Sequence, residues 1–106
     1  MKGSRIGEFE EMILLVIAYL GEAYGNEIVV QLKEKASRKV SLSTVHITLY
    51  RLEDKGLLNS RWGEAQEVRG GRRKRYFLLT ASGMRELRAI QQTRLKFWSL
   101  VPELSI

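Results

Sequence analysis

Phe9, Ile13, Val16, Ile17 and Leu20 recur at three- and four-residue intervals, a spacing that predicts a helix over residues 8–21. Met12, Leu14 and Leu15 widen the apolar face over most of the circumference, so this helix needs burial on more than one side. Glu8, Glu10 and Glu11 fall in its first turn, where negative charge suits the helix dipole, and Gly21 is the expected stop. Beyond the turn at Gly25-Asn26, Ile28, Leu32 and Lys35 or Ala36, helped by Val29, lay a one-sided stripe along a second helix over residues 25–36. Residues 40–42 read as a short extended piece. Then Val45, Leu49 and Leu52 stand at i, i+4 and i+7 on a third helix, with Ser43 as its expected N-cap, Lys55 in its last turn and Gly56 as its end.

The period then changes from helical to alternating. Leu58, Ser60 and Trp62 alternate with Asn59 and Arg61; Arg73, Arg75, Phe77 and Leu79 alternate with Lys74, Tyr76 and Leu78. Two strands joined by a loop over residues 63–71 make a hairpin with a long tip. Thr80, Ala81, Ser82 and Gly83 open a last helix that runs to about residue 100. Gly83, Leu87, Ile90, Phe97 and Val101 form one stripe on it, interrupted by Arg94, and Met84, Gln91, Leu95 and Trp98 form its neighbour. The expected fold is mainly α with a small β-hairpin. It divides into a winged helix-turn-helix over residues 1–79 and a C-terminal helical segment over 80–106, the two forming one compact unit, without internal repeat or low-complexity linker.

Composition adds limits to this outline. The chain has 106 residues, enough for one domain with a modest core; 44% are hydrophobic and 28% charged, as in ordinary globular proteins. No cysteine is present, which excludes disulfide, thiolate-metal and thiol chemistry and fits a reducing compartment. The apolar run at residues 12–20 is far short of the ~20 residues that span a bilayer. The acidic cluster before it suits no secretory signal, so a cytoplasmic protein without membrane attachment is expected.

Net charge is +6 and unevenly placed. Residues 1–32 carry five acidic and two basic side chains, whereas residues 33–61 carry three and seven, and residues 62–79 two and five. The basic character therefore starts in mid-chain, with the third helix and the hairpin, as a nucleic-acid-binding face requires. In a helix-turn-helix the second helix of the motif enters the major groove with its N-terminal residues at the base edges. Here that helix presents Ser43, Thr44, His46, Ile47, Tyr50 and Arg51 outward, and its small hydroxyl residues permit close approach to phosphates or bases. The hairpin adds Arg72, Arg73, Lys74 and Arg75, with Gly70-Gly71 giving its tip freedom to reach a groove. By strand alternation Arg73 and Arg75 share a face with Phe77, and Lys74 shares one with Tyr76, so these charges cannot all point the same way. Tyr76 and Phe77 read as packing residues.

Nothing in the chain reads as a catalytic constellation. His46 is the sole histidine and has no carboxylate at ligand spacing, and Gly70-Gly71 lacks the Lys-Ser/Thr of a phosphate loop. No enzyme activity, metal or cofactor is expected. The expected partner is double-stranded DNA. A winged-helix module that binds protein instead is the alternative, and the basic wing beside a small polar helix argues against it.

The segments AYGNEI, STVHITLYRLEDKGLL and GGRRKRYFLLTASGMREL resemble the PadR family of bacterial transcriptional regulators, over residues 7–90. The resemblance implies a homodimeric winged helix-turn-helix protein, usually a repressor, that dimerises through its last helix and helix one. The family usually carries Tyr in the recognition helix where this chain has His46. An imidazole also donates to a phosphate, with a charge that responds to pH.

Leu87, Ile90, Leu95, Phe97 and Trp98 exceed what one small core covers, and this independently predicts a second copy of the chain along the last helix. Phe97 and Trp98 read either as packing in that interface or as a flat aromatic wall. On the second reading, a small hydrophobic effector sits near Trp98, Phe9 and Ile13, as the family's multidrug-sensing members imply.

Overall fold

The computed structural model describes residues 6–64 and 73–103. Three helices come first: α1 (Glu8–Leu20), α2 (Gly25–Ala36) and α3 (Leu42–Asp54). Strands β1 (Leu58–Trp62) and β2 (Arg75–Leu79) follow, and α4 (Ala81–Leu100) closes the chain. The two strands pair antiparallel, with Leu58 opposite Leu79, Ser60 opposite Phe77 and Trp62 opposite Arg75. The strand residues predicted as a pair are therefore paired, although β2 begins at Arg75 and not at Arg73. The hairpin tip, including Gly70, Gly71 and Arg72, lies outside the described residues.

Each helix starts where a side chain or a neighbouring carboxylate satisfies its free N–H groups. Gly7 N donates to Glu10 Oε1 at 2.9 Å and Tyr24 N to Glu27 Oε1 at 3.2 Å, the reach-back of a capping-box glutamate. Ser41, not Ser43, caps α3: its Oγ accepts from Thr44 N at 3.1 Å. Thr80 caps α4 by accepting from Gly83 N at 3.0 Å, and its hydroxyl donates to Gly56 O at 2.7 Å, which ties the last helix to the end of α3. Gly21 and Gly56 sit at φ 89° and 79°, the left-handed region that ends α1 and turns the chain after α3.

Residues 40–42 form no strand. Residues 37–41 are irregular and Leu42 already begins α3. The third extended contact is instead made by Ala23, between α1 and α2: its N–H donates to Phe77 O at 3.1 Å, and Phe77 N–H donates to Ala23 O at 2.8 Å. A one-residue backbone bridge thus ties the wing's second strand to the turn between α1 and α2.

Ile13, Leu14 and Ile17 of α1, Ile28 and Leu32 of α2, Val45, Leu49 and Leu52 of α3, and Phe77 of β2 meet in one core. Leu87 joins them from α4. The first turn of α1 pins three other parts of the fold. Glu8 pairs with Arg38 beyond α2, Glu10 with Lys55 at the end of α3, and Glu11 with Arg94 of α4, at 2.7, 3.1 and 2.7 Å. Glu10 is the buried one, and it accepts from Gly7 N as well as from Lys55, so its charge is doubly compensated. At Gly83 the start of α4 passes so close to Leu57 O that a side chain would collide with backbone.

Beyond Ile90 residues 91–100 are all exposed, with Arg94 still tied to Glu11 of α1. The radius of gyration is 15.8 Å, against about 13 Å for a compact domain of this size.

Candidate nucleic-acid interface

On α3, Ser43, Thr44, Ile47, Tyr50 and Arg51 are exposed, on the side away from core residues Val45, Leu49 and Leu52. The hydroxyls at the front of the helix are linked: Ser41 Oγ donates to Thr44 Oγ1 at 2.8 Å and lies 3.3 Å from Ser43 Oγ. Ser41 therefore belongs to this face as well as capping the helix, a role the sequence assigned to Ser43. Three hydroxyl residues within four positions give equivalent cap candidates, and only backbone geometry separates them.

His46 differs from its neighbours. It is half-buried, stacked on Tyr50 at 5.9 Å between ring centroids with 15° between planes, and it rests against Gly25 at the start of α2. It therefore packs α3 against the start of α2. The exposed apolar members of the face are Ile47 and Tyr50, 58% and 44% exposed, and Ile47 suits contact with a base methyl group.

The wing residues separate into two faces, as strand alternation requires. Lys74 Nζ stands 4.5 Å above the Tyr24 ring, and Tyr24 meets Tyr76 edge-on at 5.5 Å. On that side Arg61 lies over Tyr76 at 4.7 Å and pairs with Glu22 at 2.7 Å. The hydrogen bond to Glu22 raises the Arg61 guanidinium above its ordinary pKa, against a smaller opposing effect of burial. On the other side Arg73 Nε donates to Gly63 O at 3.0 Å while its side chain remains exposed beside Trp62. Arg75 is turned inward: Nη2 donates to Glu53 Oε1 at 2.8 Å and Nε to Ser60 Oγ at 3.1 Å. Of the predicted wing cations within the described residues, Arg73 is exposed, Lys74 is half-buried over Tyr24, and Arg75 is occupied by α3. The sequence reading missed Glu53, Ser60, Gly25 and Ser41 as parts of this surface. Glu53 alone carried a signal, standing three residues after Tyr50 and so on its side of the helix.

The predicted dimer residues also divide. Leu95, Phe97 and Trp98 are 58%, 64% and 55% exposed on the projecting half of α4, with Leu100 beside them at 66%, and Ile90 is half-buried. Leu87, predicted among them, is a core residue of its own chain. Phe9 and Ile13 do not line the grooves at Trp98. Ile13 is fully buried and Phe9 lies under the Arg38 guanidinium at 5.0 Å. The open grooves at Trp98 are lined instead by Ile6, Ile90, Phe97 and Val101 on one side, and by Leu15, Ala18 and Leu95 on the other. Arg94 borders both, held by two hydrogen bonds to Glu11 that raise its pKa. Among the described residues no cluster of His, Asp or Glu is arranged to hold a metal ion, and no helix is long and apolar enough to cross a membrane.

Three helices, a two-stranded wing tied to the turn between α1 and α2 through Ala23 and Phe77, and a projecting last helix define a winged helix-turn-helix. The sequence profile of the transcriptional regulator PadR-like family matches residues 13–89, and the chain belongs to that family, one of regulators and not of enzymes. Among solved structures, a PadR-like transcription factor from Bacteroides fragilis is 27% identical and superposes with a TM-score of 0.74, over 90% of this chain and 87% of that one. A PadR family regulator from Clostridium difficile is 25% identical at TM-score 0.71, over 90% and 96%. The fold is shared too with Bacillus subtilis PadR in complex with operator DNA, 24% identical at TM-score 0.70, over 82% of this chain and 48% of that one. Among curated protein sequences no relative matches.

Proposed function

We propose that this PadR-family regulator is a homodimeric repressor that binds a palindromic operator in duplex DNA. The N-terminal half of α3 enters the major groove with Ser43, Thr44, Ile47 and Tyr50 facing the bases and Arg51 facing the backbone. Arg72, Arg73 and Lys74 of the wing neutralise phosphates. The observation that carries this reading is the pairing of an exposed small-hydroxyl helix face with the exposed wing cation Arg73, while the acidic first turn of α1 is consumed in internal ion pairs. That a PadR from Bacillus subtilis is seen with operator DNA supports it. Such a protein acts in the cytoplasm, where the chromosome is reached.

The dimer in this reading forms along the projecting half of α4. Leu95, Phe97, Trp98 and Leu100 expose apolar surface that costs about 25 cal/mol per Å² to leave in water. A flat hydrophobic small molecule entering beside Trp98 shifts the spacing of the two α3 helices and releases the DNA. Residues 1–79 then serve DNA and 80–106 serve dimerisation.

The test is a titration of a random-sequence duplex at several salt concentrations. Binding should weaken linearly in log–log form, with a slope of roughly −0.9 per neutralised phosphate. Absence of binding at low salt would remove the DNA reading and leave a protein-binding module.

A further inference from the structure

Arg75 closes a ring of side chains between the wing and α3. Its Nε donates to Ser60 Oγ at 3.1 Å, that hydroxyl donates to Glu53 Oε2 at 2.6 Å, and Glu53 Oε1 accepts from Arg75 Nη2 at 2.8 Å. One member comes from each of β2, β1 and α3. The guanidinium also lies 5.2 Å from the Tyr50 ring, 5.6 Å from Trp62 and 5.3 Å from Phe77. The guanidinium is therefore surrounded by aromatic rings while its N–H groups reach a hydroxyl and a carboxylate. Tyr50 in turn stacks on His46, and His46 rests on Gly25. A continuous line of contacts thus runs from the wing across the recognition helix to the start of α2.

We infer that Arg75 is a positioning residue, which with Glu53 and Ser60 sets the angle between wing and recognition helix, and not a phosphate ligand like its neighbours. The inference rests on the DNA-binding reading above. Two physical arguments carry it. First, Glu53 cancels the charge of Arg75 at contact distance, so a phosphate meets a neutral pair and little counterion is released. Second, withdrawing Arg75 would strand a Glu53 carboxylate whose side chain is only 29% exposed, and an unpaired charge so placed is strongly unfavourable. A basic run of four thus holds cations of two kinds: those that add affinity for any duplex, and one that adds discrimination by fixing geometry.

The experiment compares wild type, Arg75→Gln, Glu53→Gln and Ser60→Ala. Each is titrated over a salt series against a duplex selected by the wild-type protein from a random pool and against unselected random duplex. The inference expects all three variants to lose about tenfold in affinity for the selected duplex, the equivalent of one half-buried polar link. It expects much smaller losses on random duplex and an unchanged salt slope. Arg75→Gln combined with Glu53→Gln should be no worse than either alone. Ser60→Ala keeps every charge and opens the ring, so it isolates geometry from electrostatics.

A variant that merely unfolds loses both duplexes in proportion to its folded fraction, read by circular dichroism, and that result in all three overturns the inference. So does a slope flattened by about one unit in Arg75→Gln, or tighter binding by Glu53→Gln, since both mark Arg75 as a phosphate ligand. A wild-type protein that binds neither duplex removes the DNA reading itself, which keeps the two failures apart.

Discussion

The imidazole of His46 rests on the backbone of Gly25, so close that a methyl group there would stand 2.5 Å from Nε2. This is a close contact between α2 and α3. Gly25 is not there for an unusual backbone angle, since only Gly21 and Gly56 among the described glycines have positive φ. It is there for room. Gly25→Ala is expected to displace His46 from its stack on Tyr50 and destabilise the fold by about 1–3 kcal/mol, the usual range for overpacking. Leu42 Cδ1 would also stand 2.9 Å from that methyl group, so adding His46→Ala should recover part of that loss in thermal denaturation. If the double variant melts no higher than Gly25→Ala alone, the His46–Gly25 contact is not the constraint.

Gly83 poses the same question with a harder neighbour. Alanine is the better helix former, by up to about 1 kcal/mol in a helix interior, so propensity alone favours Gly83→Ala in the first turn of α4. The neighbour, however, is the carbonyl oxygen of Leu57, whose C=O also accepts from Thr80 N, and backbone so fixed does not swing away. The clash should outweigh the propensity gain. Gly83→Ala is expected to lower the melting temperature by more than Gly25→Ala does, and a rise in melting temperature contradicts the packing described at the α4 start.

Two leucines on α4 should behave as different kinds of residue. Leu87→Ala opens a cavity in the core and should cost about 2–5 kcal/mol of folding stability. Leu95→Ala touches an exposed side chain and should leave the fold of the single chain nearly unchanged. If α4 is the dimer seam, Leu95→Ala combined with Phe97→Ala shifts sedimentation towards monomer at micromolar concentration. Unaltered sedimentation would move the seam elsewhere.

Trp98→Ala separates the two meanings of that ring. With the effector reading, the variant still dimerises and binds duplex but no longer releases it with planar hydrophobic compounds. Dissociation of the dimer in the absence of any compound marks Trp98 as packing alone.

The helices were legible in the chain because the apolar period is helical and Gly21 and Gly56 stand at the ends of α1 and α3. The hairpin was legible because two segments alternate on either side of a glycine-bearing loop. Residues 40–42 misled because Val-Ser-Leu alternates like a strand while no partner strand lies beside it; alternation reports a side-chain pattern and not a hydrogen-bonded neighbour. The strand-like contact at Ala23 is one residue long and has no pattern to read. On α4 the apolar stripe continues past Ile90 into the exposed residues, so Leu87 and Leu95 look alike in sequence and differ in burial. Ile13 does not line the grooves at Trp98, because the α1 stripe is already spent in the core at that position. Arg75 sits in a run of identical charges, and only its register opposite Trp62 and its reach to Glu53 tell it from Arg73.

Whether α3 reads duplex DNA as one half of a symmetric pair is decided by selection from a random duplex pool, performed in parallel with wild type, Thr44→Ala and Ile47→Ala. Wild type should enrich a two-fold symmetric site with half-site centres about one helical turn apart, roughly 34–36 Å. The two variants should enrich sites with the same spacing and different preferred bases within each half. A pool that stays unenriched, or one in which both variants select the same bases as wild type, contradicts that reading.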